Sequence, residues 1–151
     1  MPFTLELPSE YGYVLTVASL SFFVNSYHMT LSVLARKDSG LKYPIPYATE
    51  EQAAKSPAAF KFNCAQRAHG NFLENFPPFL GALLISGLRF PTASAVLGGL
   101  FVLGRTMYAG GYVSRGPPGR TNGFFISLLA DAALKFMALY TGVQMVLESR
   151  A

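Results

Sequence analysis

The stretch FNCAQRAHGNFLENFPPFL, residues 62–80, places polar and charged side chains inside an otherwise apolar segment. Arg67, Asn71 and Glu74 are spaced so that, on a helix, they point within about 60° of each other. Arg67 offers a forked donor for a carboxylate, Asn71 both donates and accepts hydrogen bonds, and Glu74 can hold an ammonium group. This ridge indicates either a ligand pocket or an ion pair within the helix, and the spacing alone favours neither.

A second polar ridge occurs in GRTMYAGGY, residues 104–112. Arg105, Tyr108 and Tyr112 are separated by three and four residues, so they also share one face of a helix. A further guanidinium and two hydroxyl-bearing rings would suit a ligand with several carboxylates, an amine and peptide groups. We expect the two ridges to face one cavity.

Four apolar segments carry or flank these ridges: residues 11–35, 62–88, 91–113 and 123–147. Each is long enough to supply the about 20 residues that a helix needs to cross a bilayer. Charged residues make up 13% of the chain, about half the share in soluble proteins, and hydrophobic residues make up 51%. The sequence therefore predicts an all-α integral membrane four-helix bundle, with one domain over residues 1–151. A soluble bundle is the alternative, but its helices should carry a stripe of charges.

The distribution of positive charge predicts an orientation. The loop of residues 36–61 carries five Lys or Arg residues and residues 114–122 carry two, whereas the opposite side has only Arg89 and Arg150. The positive-inside rule therefore places both loops in the cytosol. Because the twelve Lys and Arg residues are scattered, nucleic acid is not expected as a partner.

Several other residues favour structural roles. His28 lies in the first span and is expected to pack with a hydrogen bond, and Asp131 and Lys135, one turn apart, are expected to neutralise each other. Cys64 is the single cysteine, so it can form neither an intramolecular disulfide nor a cysteine metal cluster. The pair at residues 77–78, Pro-Pro, is expected to kink the second helix.

The motifs RAHGNFLENFPPF and GRTMYAGGY, in this order and on successive spans, resemble the membrane-associated proteins of eicosanoid and glutathione metabolism, the MAPEG family. The resemblance covers nearly the whole chain and includes EYGYVL and YPIPY. It implies a homotrimer of four-helix subunits in the endoplasmic reticulum or a related membrane. It also implies glutathione as co-substrate, without a metal, bound between neighbouring subunits near the cytosolic face.

The resemblance assigns glutathione binding to residues of the first three spans and the segments next to them. By motif, the glutathione-binding residues are Arg36, Arg67, Asn71, Glu74, Arg105, Tyr108 and Tyr112. Weaker candidates are His69, Lys37 and Arg115.

The arginine that activates the thiol is displaced by one residue from the leukotriene C4 synthase pattern of this family. In that pattern an arginine follows the second tyrosine by seven residues, a position that Gly119 occupies here. Arg120 comes next, and we expect it to be the catalytic residue because a guanidinium beside sulfur favours the thiolate. Arg115 is the weaker alternative for this role.

The resemblance implies a membrane-bound glutathione transferase with glutathione peroxidase or leukotriene C4 synthase-like activity. Its second substrates would be lipophilic electrophiles or lipid hydroperoxides that arrive from the bilayer. Two other classes remain open: a non-enzymatic scaffold that binds lipid or glutathione, and a small transporter using Asp131, Lys135 and Glu74. The presence of both ridges argues against the scaffold, and the lack of internal repeats argues against the transporter.

Overall fold

The computed structural model describes residues 6–149, and all of their regular structure is helical. The five α-helices in this range are α1 (Tyr11–Ser39), α2 (Glu50–Lys55), α3 (Pro57–Gly87), α4 (Pro91–Arg115) and α5 (Thr121–Glu148), and a 3-10 turn, Pro117–Arg120, precedes α5. The predicted all-helical class is confirmed. The four predicted helices correspond to α1, α3, α4 and α5, and the sequence patterns did not predict α2. Arg150, which was counted in the charge distribution, lies outside the described residues.

The long helices extend beyond the apolar segments that mark them in the sequence. α3 begins at Pro57 because Ser56 caps it, its side chain accepting a hydrogen bond from the backbone N–H of Ala59. Proline suits this first position, since the N–H it lacks would have no helical partner there. The helix then continues through Pro77 and Pro78 to Gly87. Hydropathy thus locates the middle of the helix, whereas polar capping residues set its start.

The short helix α2 forms inside the loop that the sequence marks only as polar. Thr49 and Gln52 form a reciprocal capping box, in which each side chain accepts a hydrogen bond from the other residue's backbone N–H. No residue of α2 is buried, so it has no apolar periodicity that would indicate a helix. Its start depends on this local hydrogen bonding.

The outer surface of the long helices is apolar. Phe23 and Phe136 are 73% and 75% exposed, and Leu129 and Leu139 are similarly open. Within the described residues, one helical segment, residues 117–148, is apolar enough by mean hydropathy to cross a membrane. A surface covered with large apolar side chains fits a lipid environment and is unlike the charged outer face of a soluble bundle.

The core lies between α1, α3, α4 and α5. Phe72 and Phe79 of α3 are fully buried, as are Val14 of α1 and Leu134 of α5. The ring of Phe79 stacks on that of Phe101 in α4, with centroids 3.7 Å apart. This packing fixes the rotation of α3 and α4 about their axes, and therefore the direction in which their polar ridges point.

Helices α4 and α5 approach each other backbone to backbone at two glycines. A Cβ atom at Gly123 would lie 2.3 Å from the backbone nitrogen of Tyr108, and one at Gly104 would lie 2.7 Å from that of Ser127. No side chain fits at such distances, so glycine is required at both positions.

The turn before α5 is held against α4 in the same way. A Cβ atom at Gly119 would lie 2.1 Å from the carbonyl oxygen of Gly111. Since Arg120 follows Gly119 directly, this contact places Arg120 beside α4.

We predict that Gly123→Ala destabilises the bundle, because the new methyl group would meet the α4 backbone, which cannot move as a flexible side chain can. Overpacking of this kind costs ~1–3 kcal/mol or more in free energy of unfolding. Thermal unfolding of the detergent-purified protein should therefore show a melting temperature several degrees lower.

Gly142→Ala is the matched control on the same helix, since nothing lies within 4 Å of the position that its new Cβ atom would take. Its effect should stay within about 0.5 kcal/mol. Equal melting temperatures for the two variants would contradict the proposed glycine contact.

Candidate functional site

A cavity of about 550 Å³ lies between α2, α3 and the end of α4. Arg67 and Tyr112, one residue from each polar ridge, line it together. The remaining lining residues are Tyr47, Glu50, Ala53, Ala54, Phe60, Asn63, Cys64 and Pro117. The structure thus brings one cation and one phenol of the two ridges to a common space of a size typical for small-molecule sites.

Arg120 lies against the two tyrosines of α4. Its Nη1 atom donates a hydrogen bond to the Tyr108 hydroxyl at 3.4 Å, and its guanidinium carbon lies 4.9 Å from the centroid of the Tyr112 ring. The two rings meet edge to face with centroids 5.7 Å apart. The hydrogen bond and the cation–π contact together hold a permanent positive charge behind the cavity wall that Tyr112 forms.

The contact at Gly119 excludes an arginine at this position. A side chain there would run into the Gly111 carbonyl. Arg115 is exposed and, within the described residues, makes no side-chain hydrogen bond or ion pair. The guanidinium that the fold places beside Tyr108 and Tyr112 is therefore that of Arg120.

Arg105 is turned into the bundle and does not line the cavity. It is 3% exposed, and its Nη2 atom donates to the Oδ1 atom of Asn71 at 3.0 Å. Its guanidinium carbon lies 4.5 Å from the centroid of the Tyr108 ring. Because arginine has only donors, Asn71 must present its oxygen to Arg105, which leaves the amide N–H₂ group of Asn71 for other partners.

Arg67 and Glu74 do not form the ion pair within α3 that their spacing allows. Both side chains are exposed, and neither has an ionic partner within the described residues. Glu74 also does not line the cavity. One face of α3 therefore presents a free cation and a free anion at the surface of the single chain, as far as residues 6–149 show.

Arg36 and Lys37 occupy a different site from the cavity. Arg36 donates to the carbonyl oxygen of Ile45 at 2.7 Å, and its guanidinium carbon lies 4.3 Å and 4.5 Å from the ring centroids of Tyr43 and Phe62. Lys37 is exposed and shares a shallow depression with Arg36 and Tyr43. Within one chain, Arg36 therefore fixes the loop after α1 and does not reach Arg67 or Tyr112.

The two histidines lie away from the cavity. His28 is buried as expected, with Nε2 3.1 Å from the backbone oxygen of Arg105 and its ring 4.7 Å from that of Phe72. His69 is half-buried, and its Nδ1 atom has no hydrogen-bond partner among the described residues. The expected neutralisation of Asp131 by Lys135 is confirmed by an ion pair of 2.5 Å.

One wall of the cavity is formed by the loop before α2. The two polar ridges gave no indication that this loop takes part. Asn63 holds this loop with two hydrogen bonds, accepting from the backbone N–H of Ala48 at 2.8 Å and donating to its carbonyl oxygen at 2.9 Å. Gln66 donates to the carbonyl oxygen of Pro46 at 3.0 Å. Tyr47 is thereby held at the cavity. Asn63 precedes Arg67 by one helical turn. That spacing would have added Asn63 to the polar ridge of Arg67, Asn71 and Glu74.

A comparison with known protein families identifies the family to which this chain belongs. A sequence model of the MAPEG family matches residues 14–140, from α1 into α5. The chain belongs to the MAPEG family. This family includes glutathione-dependent transferases and synthases of eicosanoid metabolism. Family membership and the apolar helix together indicate a membrane protein.

We predict that Asn63→Ala loosens the cavity wall, because it removes both hydrogen bonds to Ala48. Two neutral hydrogen bonds contribute about 1–3 kcal/mol together. Limited trypsin digestion should then cleave the loop of residues 40–56 faster, at Lys42 or Lys55, by about tenfold.

Asn122→Ala is the control, since Asn122 is exposed and makes no side-chain hydrogen bond within the described part of the chain. Equal cleavage of the two variants would show that Asn63 does not hold the wall in place.

Proposed function

We propose that this protein is a membrane-bound glutathione transferase that resembles microsomal glutathione S-transferase 3 of the same family. It activates the thiol of glutathione and uses it on lipophilic electrophiles or lipid hydroperoxides. The single observation that carries the proposal is the position of Arg120, a fixed cation held by Tyr108 and Tyr112 next to a cavity that also contains Arg67.

Arg120 has the chemistry that thiol activation needs. The thiolate is the nucleophile, and an unperturbed thiol with a pKa of about 8.5 is mostly protonated at neutral pH. A guanidinium beside the sulfur stabilises the anion, lowers the pKa of the thiol and stays charged itself. The thiol proton then leaves to water before the sulfur reacts.

The remaining ridge residues suit the tripeptide. Arg67 would bind a carboxylate of glutathione, and the N–H₂ group of Asn71, which Arg105 leaves free, would donate to a carboxylate or carbonyl oxygen. Glu74 would accept from the ammonium group. Tyr112 would form the wall on which the cysteine part of glutathione rests. The interior position of Arg105 gives it a supporting role, in which it orients Asn71 and contacts Tyr108.

We further propose that the site is completed in a homotrimer. The exposed charges of Arg67 and Glu74, unpaired within the described residues, and the separate location of Arg36 are what a site at a subunit boundary requires. Arg36, with Lys37 beside it, would then face the ligand from a neighbouring subunit. The loops of residues 36–61 and 114–122 would lie on the cytosolic side of the endoplasmic reticulum membrane.

Both second substrates give balanced reactions with the same thiolate. With an electrophilic lipid, the sulfur forms a C–S bond while the carbon's leaving group, or the oxygen of an opening epoxide, takes the electron pair. With a lipid hydroperoxide, the sulfur attacks the terminal oxygen, so that an S–O bond forms as the O–O bond breaks. The lipid alkoxide takes a proton from water and leaves as the alcohol. A second glutathione thiol then displaces water from the glutathione sulfenic acid and forms the disulfide. Product analysis with an epoxide lipid and a hydroperoxide distinguishes a leukotriene C4 synthase-like activity from a peroxidase.

We predict that Arg120→Ala lowers kcat by about 10²-fold or more, the usual effect of losing one preorganised electrostatic group. Glutathione affinity should change little, because the tripeptide is bound by other residues. The thiol pKa in the complex should rise toward its ordinary value. The rate of the variant therefore keeps increasing with pH over a range in which the parent has already levelled off.

Arg115→Ala is the matched control, since it removes an exposed arginine from the same connection. Its activity and pH profile should equal those of the parent, and Arg120→Lys should retain part of the activity. Normal turnover by Arg120→Ala would exclude Arg120 as the thiol-activating residue.

A further inference from the structure

A small polar chamber, partly open to the surface, lies between helices of the bundle, apart from the cavity that Arg67 lines. It has a volume of about 110 Å³ and lies between α3, α4 and α5. Its polar lining residues are Asn71, Asn75, Arg105, Ser127 and Asp131. Phe101 and two further apolar side chains complete the walls, so the chamber is a polar space in an apolar bundle.

Two opposite charges that face this chamber are both deeply buried. Arg105 is 3% exposed and Asp131 is 6% exposed. The Nε atom of Arg105 and the Oδ1 atom of Asp131 are buried and have no hydrogen-bond partner among the described residues. Buried ionised groups within a membrane protein are strongly unfavourable unless they are paired or hydrated. Each of these two atoms therefore requires a partner, and both Arg105 and Asp131 line the chamber.

One other atom of each group is already engaged. Arg105 donates through Nη2 to Asn71, and Asp131 accepts through Oδ2 from Lys135. Arg105 and Asp131 form no direct ion pair with each other. Water can accept from the Arg105 Nε–H group and donate to the Asp131 oxygen, and a molecule that takes up about 30 Å³ in the liquid fits this chamber. The site has the two polar partners that an ordered water needs.

We propose that ordered water in this chamber bridges Arg105 to Asp131, and that Asp131 thereby acts as a positioning residue for Asn71. The carboxylate of Asp131 fixes the guanidinium of Arg105, and the guanidinium holds the oxygen of the Asn71 side chain. The N–H₂ group of Asn71 is then directed away from the bundle interior, where it donates to the bound ligand. The identity of that ligand as glutathione rests on the proposed function. Asp131 lies outside both polar ridges on which that proposal is built.

The charge coupling is tested without any ligand by a thermal double-mutant cycle. Asp131→Asn keeps the shape of the side chain and removes its charge, and Arg105→Met removes the guanidinium. Each single variant should lower the melting temperature of the purified protein. The double variant should lower it by less than the sum of the two, because either single change already removes one end of the bridge between the Arg105 Nε and Asp131 Oδ1 atoms. Additive shifts would overturn the coupling. If Arg105→Met does not fold, the cycle is run with Arg105→Gln, which also removes the charge but keeps a polar side chain.

The positioning role is tested by glutathione binding to the same purified protein. Asp131→Asn should weaken binding by about three- to tenfold. In an Asn71→Ala background the same change should have no further effect, since Asp131 acts through Asn71. A role in bundle stability alone would leave the effect of Asp131→Asn equal in both backgrounds, and that result would contradict the proposal.

Lys135→Gln is the matched control, because it removes the ion-pair partner of Asp131 but does not line the chamber. It should bind glutathione as the parent does. A loss equal to that of Asp131→Asn would show that Asp131 acts through Lys135, which contradicts the proposal. Failure of the parent to bind glutathione would instead contradict the proposed function and the ligand part of this inference. The ligand-free cycle would still decide the link between Arg105 and Asp131.

Discussion

The direct backbone contact between α4 and the segment that begins α5 determines where the guanidinium of Arg120 lies. Gly119 meets the carbonyl of Gly111, and Gly123 meets the backbone of Tyr108, at distances that exclude any side chain. Between these two contacts the chain can place Arg120 only beside α4, where Tyr108 accepts its hydrogen bond. The chemistry proposed for this protein therefore depends on the absence of two side chains as much as on the presence of one.

Four charged side chains of the long helices fall into two sets, according to whether they have a hydrogen-bond or ionic partner within the described residues. Arg105 and Asp131 are buried, and their partners are Asn71 and Lys135 of the same chain. Arg67 and Glu74 are exposed and have no ionic partner in the described residues. Because unpaired charges are expensive wherever they face lipid, we expect Arg67 and Glu74 to find partners in a ligand, a neighbouring subunit or both. The first set fixes the geometry, and the second is available for binding.

Helical spacing and the family resemblance predicted different parts of this arrangement. The spacing of Arg67 and the apolar length of the segments predicted a ridge on a long helix, because both depend on local periodicity. The resemblance indicated Arg120, but only the glycine packing shows that an arginine at position 119 is excluded. The burial of Arg105 and its pairing with Asn71 could not be predicted, because they depend on how α4 rotates against α3. Helix α2 was missed since capping hydrogen bonds, and not an apolar face, define it.

Glutathione binding to the detergent-purified protein tests directly whether this protein binds the tripeptide and stabilises its thiolate. Binding is followed by calorimetry and by the ultraviolet absorbance of the bound thiolate. We predict saturable binding with a thiolate signal at neutral pH. Arg67→Ala should weaken binding by about tenfold or more, as expected for loss of a hydrogen-bonded charge pair. Lys61→Ala, an exposed cation on the same helix, should bind as the parent does. Undetectable binding by the parent, or equal binding by the parent and Arg67→Ala, would contradict the account.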